Sequence, residues 1–137
     1  AECIRMYSAD PKADLHELWR RIVFSVTIGN LDDHLRNHGF LYAGDGKWRL
    51  SPAYDLNPVP AAEKARELTT WISEEGPDAD IELALRAAPY FGLSANDANT
   101  VVAQVSGVVK QWKKVARRLR MSAHDVDIYA TAISVVA

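Results

Sequence analysis

Leu15, Leu18, Trp19, Ile22, Val23 and Val26 recur at the three- and four-residue spacing of a single helix face. That pattern predicts a buried helix starting near Asp10 and Pro11. Gly29 and Asn30 supply its stop, because a residue tolerant of left-handed backbone commonly closes a helix. The period then changes. Phe40, Leu41 and Tyr42 stand opposite Trp48, Arg49 and Leu50 across Gly44-Asp45-Gly46, which predicts a two-stranded hairpin. Polar segments lie on both sides of it. Before the hairpin, IGNLDDHLRN (Ile28 to Asn37) begins where the helix ends and is expected to be an irregular loop. After it, Ser51 to Pro58 contains two prolines, which forbid regular helix and force a second polar loop.

Beyond Pro60 the pattern predicts a weak helical segment, a loop through Gly76-Pro77 and a helix from Asp80 to about Ala88. Ser94 with Asp97 forms a helix-start box. Val101, Val105, Val108, Trp112, Val115 and Leu119 then mark a continuous seam over about six turns. Ser122 with Asp125 repeats the start signal before a last helix carrying Val126, Tyr129, Ile133 and Val136. The expected fold is mainly α, a helical bundle with one small inserted β-hairpin, in a single domain over residues 1–137.

Composition narrows the function classes. With 137 residues, 48% of them hydrophobic, the chain can bury the core of one domain. A net charge of −2 gives no global field for nucleic acid or an anionic membrane, so neither membrane binding nor direct nucleic-acid binding is expected. The run Lys110, Lys113, Lys114, Arg117, Arg118, Arg120 reads first as a solvated face. A contact with phosphate backbone or an acidic partner is the alternative. Cys3 is the single cysteine. It excludes an internal disulfide and all cysteine-cluster zinc sites, and it points to a reducing compartment, hence the cytoplasm. The apolar stretch Ile22 to Ile28 is interrupted by Ser25 and Thr27 and is too short to span a bilayer. The chain begins with Ala1 rather than Met and reads as a piece of something larger.

Candidate chemistry lies in the two polar loops. Asp32 and Asn37 are five apart, and Asp55 follows the hairpin; a strand–turn–strand excursion returns the chain to its start, so the three are expected to converge. Two carboxylates and an amide carbonyl are hard oxygen donors of the kind Mg²⁺ accepts alongside water and substrate phosphates. The order also fits the protein-kinase pattern of an acidic base, an Asn five residues on, and a metal-binding Asp after a hairpin.

At this point GNLDDHLRNHGFL followed by WRLSPAYDLNP resembles the signature of the HipA-like serine/threonine kinases. These are the toxin components of bacterial HipA–HipB toxin–antitoxin pairs. The resemblance is close over Ile22 to Pro58, and YFGLSANDA and VVKQWKKVA are similar in style to the family's C-terminal helices. It implies a lobe like the C-lobe of protein kinases. Position by position, it makes Asp32 the catalytic base, Asn37 a Mg²⁺ ligand and Asp55 the second metal-binding acid. Arg36 falls where it would face the transferred phosphate of ATP, and His34 takes a structural role. The resemblance further implies a protein substrate in the translation machinery and a HipB-like DNA-binding antitoxin as partner.

The glycines at 29, 39, 44, 46, 76, 92 and 107 form neither a G-x-G-x-x-G nor a G-x-x-x-x-G-K-[ST] loop. The chain is therefore expected to be a C-terminal lobe without its nucleotide-cradling N-terminal lobe, inactive in isolation. Other readings stand beside this one. Asp32 and Asp33 read equally as a solvated pair, with Asp33 a bystander. His34 and His38 have the spacing of two zinc ligands on a helix but fall in a loop. A phosphodiesterase built on Asp32, Asp33, His34 and Asp55 would need His34 pointing into the same site. Tyr54 and Trp48 read as anchoring aromatics, and His16 and His124 as surface residues. The alternative to a kinase lobe is a non-catalytic helical protein-binding module.

Overall fold

A computed structural model describes residues 1–133; Val136 of the expected last helix lies outside them. The chain opens with α1 (Glu2–Tyr7), which the sequence pattern did not announce. Its six residues bury only Ile4, too few positions to show a period. The main scaffold is α2 (Pro11–Ile28). Asp10 caps it by accepting the Ala13 N–H at 3.1 Å, and Pro11 occupies a first-turn position where a missing N–H costs nothing. Gly29 ends it with φ 71°, and a Cβ there would meet the Ala132 carbonyl oxygen at 2.6 Å. Only glycine satisfies both constraints.

The buried face of α2 carries Leu15, Trp19 and Val23 against α3 (Ile81–Ala87), the 3₁₀ turn Ala88–Phe91 and α4 (Ala95–Val109). Burial stabilises residues such as Leu15 and Val23 by roughly 1.5–3 kcal/mol each. Trp19 is fully buried, and its Nε1 donates to the Ala84 carbonyl at 3.0 Å, which pins α2 to α3. A second cluster, Val26, Leu31, Leu68 and Ala79, lies beneath the loop that leaves α2.

Strands β1 (Phe40–Gly44) and β2 (Lys47–Leu50) pair antiparallel, with Phe40 opposite Leu50 and Tyr42 opposite Trp48, as the sequence pattern requires. The Tyr42 and Trp48 rings meet edge-on at 5.3 Å. Asp14, buried on α2, docks this hairpin. Its Oδ2 accepts from the Ser8 hydroxyl at 2.7 Å and the Leu50 N–H at 3.0 Å. The Arg49 Nε donates to both carboxylate oxygens at 3.0 and 3.1 Å. One carboxylate thus joins α1's exit, α2 and β2.

Two expectations about helices fail. No helix follows Pro60: residues 61–80 form turns and isolated bridges such as Glu67 with Asp78. The long seam is also broken. α4 ends at Val109, and a separate helix, α5 (Trp112–Arg118), follows a turn at Lys110 and Gln111. The buried row also runs beside the expected one: its spacing of three and four passes through Ala98, Val102, Val105, Val109 and Ala116. Val108 and Leu119 are 72% and 73% exposed, while Ala98, Val102, Val109 and Ala116 are buried. α6 (Ala123–Ala130) is capped by Ser122 as the box predicts, but it ends before Ile133, which was expected on it. Among the described residues no helix is long and apolar enough to cross a membrane.

Candidate active site

The first polar loop leaves α2 under restraint from several sides. Asn30 is buried, and its N–H donates to the Ser25 carbonyl at 2.8 Å, which satisfies one of the carbonyls a helix end leaves open. The Leu31 carbonyl accepts from the Lys64 Nζ at 2.8 Å, the Thr69 hydroxyl at 3.0 Å and the Thr69 N–H at 3.1 Å. Arg66 donates to the Val26 carbonyl at 2.9 Å and to the Ala132 carbonyl at 3.0 Å. The irregular stretch after Pro60 therefore braces the loop. This support was missed because its donors are tens of residues away and follow no period.

Asp32 is exposed, and the Thr69 hydroxyl lies at the limit of hydrogen-bond distance from its Oδ1, 3.5 Å. Asp33 points the other way. It is buried, and the His38 Nε2 lies 3.0 Å from its Oδ1. The contact has the distance of an ion pair once the ring is protonated, though not the direction of a hydrogen bond. The expectation that Asp33 is a solvated bystander is corrected: the pair closes the base of the segment that carries the 3₁₀ turn Leu35–Asn37. That turn presents Arg36 in the open and Asn37 buried at 7% exposure, with the Asn37 N–H donating to the His34 carbonyl at 2.8 Å. His34 keeps its Nδ1 buried, with no hydrogen-bond partner among the described residues.

The second loop is tied to the first at three places. The Ser51 N–H donates to the Gly39 carbonyl at 2.9 Å, the Tyr54 hydroxyl to the Arg36 carbonyl at 2.7 Å, and the Val59 N–H to the Gly29 carbonyl at 2.8 Å. Gly39 sits close against this junction: a Cβ there would meet the Ser51 Oγ at 3.0 Å and the Tyr54 hydroxyl at 3.3 Å and would press on both side chains. Buried Arg21 on α2 adds a fourth restraint, donating through Nη2 to the Ser51 carbonyl at 2.7 Å. Tyr54 is thus the anchoring aromatic that the sequence suggested.

Asp55 follows Tyr54 directly. It is exposed and holds a left-handed backbone, φ 57°, with its Oδ1 accepting from the Asn57 amide at 2.8 Å. A non-glycine residue in that region carries strain on the order of 1 kcal/mol, which the surrounding structure must hold. Neither Asp32 nor Asp55 is ion-paired among the described residues. The loops that carry Asp32, Arg36, Asn37 and Asp55 are therefore bound together, with both free carboxylates in the open. Their donors, two carboxylates and an amide oxygen, fit a hard cation. Among the described residues no three His, Cys, Asp or Glu side chains gather as a metal-holding group. With Asp33 engaged by His38, the cluster a phosphodiesterase would need on Asp32, Asp33, His34 and Asp55 does not form.

Comparison with known proteins adds the family. A family model described as the HipA-like C-terminal domain matches residues 1–112. A Haemophilus influenzae protein named "Putative kinase" is 35% identical over 63 residues, 44% of this chain and 18% of its own length. Two Sinorhizobium fredii proteins also match. "Putative kinase Y4dM" is 52% identical over 52 residues, 37% of this chain and 13% of its own length. "Putative kinase Y4mE" is 29% identical over 98 residues, 72% of this chain and 20% of its own length. The chain spans a fifth or less of the length of these relatives.

Proposed function

The chain belongs to the HipA-like C-terminal domain family, and on that premise we propose that it is the catalytic lobe of a protein serine/threonine kinase. The reaction is transfer of the ATP γ-phosphate to a protein hydroxyl. The observation that carries this reading is the stapling of the Asp32–Asn37 loop to the Asp55 loop through Tyr54, Gly39 and Val59. It ties the loop bearing Asp32 to the loop bearing Asp55, and neither carboxylate is consumed by an ion pair among the described residues.

In this reading Asp32 accepts the proton of the attacking hydroxyl. The oxygen–phosphorus bond forms as the bond from the γ-phosphorus to the departing ADP oxygen breaks. Arg36 faces the transferred phosphate. Asn37 and Asp55 would hold Mg²⁺, which when bound supplies neutralisation of phosphate charge. Lys64 and Thr69 hold the Leu31 carbonyl and so fix the backbone immediately before Asp32.

By the resemblance of its signature, the kinase is the toxin of a HipA–HipB type pair in the cytoplasm. It acts on a protein of the translation machinery and is restrained by a HipB-like antitoxin. The chain carries no glycine-rich phosphate-cradling loop of its own, so alone it is expected to transfer no phosphate. Incubation of the 137-residue chain with Mg²⁺ and γ-labelled ATP checks this: background label is expected. Robust self-labelling that Asp32→Asn abolishes would show that the nucleotide site is complete within this chain.

A further inference from the structure

The largest feature that this reaction leaves unused is the segregation of charge around α5. From Ala98 to His124 the chain contains no carboxylate, yet it carries Lys110, Lys113, Lys114, Arg117, Arg118 and Arg120. The remaining residues hold ten cations against all eighteen carboxylates. A protein of net charge −2 thus concentrates its positive charge in one short region. All six cations are exposed, and none forms an ion pair among the described residues. Lys113 folds only onto its neighbour, its Nζ 5.7 Å from the Trp112 ring centroid.

Helical geometry sorts this region into two rows. Ala116 is buried and faces the body of the protein. At 3.6 residues per turn, Lys114 and Arg118 lie in a row opposite it, and Lys113 with Arg117 in the adjacent row on one flank. Beside these rows stand Val115 and Leu119, 42% and 73% exposed. These two aliphatic side chains give the charged face an apolar strip that a partner could cover. A face built for a phosphate backbone gains nothing from them, because a backbone offers no apolar surface to bury. Cations flanking an apolar strip match a partner that presents carboxylates around apolar side chains. The match to the HipA-like domain ends at Trp112, so five of the six cations and both aliphatic residues lie beyond the region that model covers.

We infer that α5 and its flanks form a docking face for an acidic amphipathic segment of another protein. Carboxylates of that segment pair with Lys113, Lys114, Arg117 and Arg118, and its apolar side chains cover Val115 and Leu119. The inference does not depend on the reaction proposed for the Asp32 loop.

The test titrates the isotopically labelled 137-residue chain with a synthetic amphipathic peptide of glutamate and leucine, followed by amide NMR. Shift changes are expected around residues 110–120, with binding that weakens as salt rises. Arg117→Glu with Arg118→Glu should weaken binding by about tenfold or more, and Leu119→Ser by several-fold. All three positions are exposed, so circular dichroism and the unfolding midpoint should be unchanged. Should the charge reversal fail to fold, Leu119→Ser and the salt dependence still decide. Equal binding of a peptide with serine for leucine overturns the apolar half of the inference. Tighter binding of duplex DNA overturns the choice of partner, and absence of shifts at residues 110–120 overturns the site.

Discussion

In a full-length HipA-like kinase carrying this chain as its C-terminal lobe, Asp32→Asn is expected to lower kcat by about 10²- to 10⁴-fold. That is the range for loss of a positioned general base. The KM for ATP should change little, because in the proposed reaction the carboxylate acts on the attacking hydroxyl rather than on the nucleotide. Stability should move by no more than about 0.5 kcal/mol, since Asp32 is exposed and among the described residues its side chain takes one long hydrogen bond, from Thr69. Asn37→Ala and Asp55→Asn should differ in kind, raising the Mg²⁺ concentration needed for half-maximal rate. Initial rates across ATP and Mg²⁺ concentrations separate these effects. Equal losses of stability in all three variants would mean that the residues are structural.

The second large effect is on folding. Asp14→Ala leaves the Ser8 hydroxyl and the Leu50 N–H without their acceptor and frees Arg49 from its carboxylate. Losing a buried acceptor with several donors costs about 2 to 3 kcal/mol. The lower end of the buried ion-pair range applies because the Arg49 side chain is 44% exposed and water can reclaim it. Stability also acquires a defined pH dependence. Burial pushes the Asp14 carboxyl up, but hydrogen bonds from Arg49, Ser8 and the Leu50 amide, together with the Arg49 charge, outweigh it and hold the carboxyl below its ordinary 3.8. A depressed folded value means that Asp14 contributes fully above pH 3.8. The contribution is lost as pH falls through the folded value. Urea unfolding at pH 7 should separate wild type from Asp14→Ala, and the gap should begin to narrow below about pH 4.

The scaffold was legible in the sequence wherever one element carried its own signal. α2 repeats its apolar positions over more than three turns, and Gly44-Asp45-Gly46 marks a turn between two apolar runs. Asp10, Asp80, Ser94 and Ser122 are each a short polar side chain set just before a helix, and each caps as its type implies. α1 escaped because it buries one residue. The break at Lys110 and Gln111 escaped because neither glycine nor proline marks it, while Gly107, the nearest breaker, sits inside α4.

The candidate site divides along the same line. Asp32, Asn37 and Asp55 are candidates on spacing because a hairpin links their loops, and the hydrogen bonds of Tyr54 and Val59 tie those loops together. Spacing alone could not tell Asp33 from Asp32, since adjacent aspartates in an irregular loop have no period to assign their faces; the resemblance singled out Asp32 and left Asp33 a bystander. Only the path of the loop turns Asp33 inward onto His38 and leaves Asp32 in the open. Lys64, Arg66 and Thr69 were invisible for a different reason. They stabilise the site by donating to backbone carbonyls, and every residue has a carbonyl, so the acceptors leave no trace in side-chain identity.

The central claim is that Asp32, Asn37 and Asp55 converge on one hard cation. It is tested most directly by titrating Mn²⁺ into the labelled chain and recording which resonances broaden, with Mg²⁺ added afterwards as competitor. Broadening centred on residues 32, 37 and 55 together, reversed by Mg²⁺ and absent in Asp55→Asn, is the expected result. Broadening at only one of the two loops, or centred elsewhere on the surface, would contradict the account.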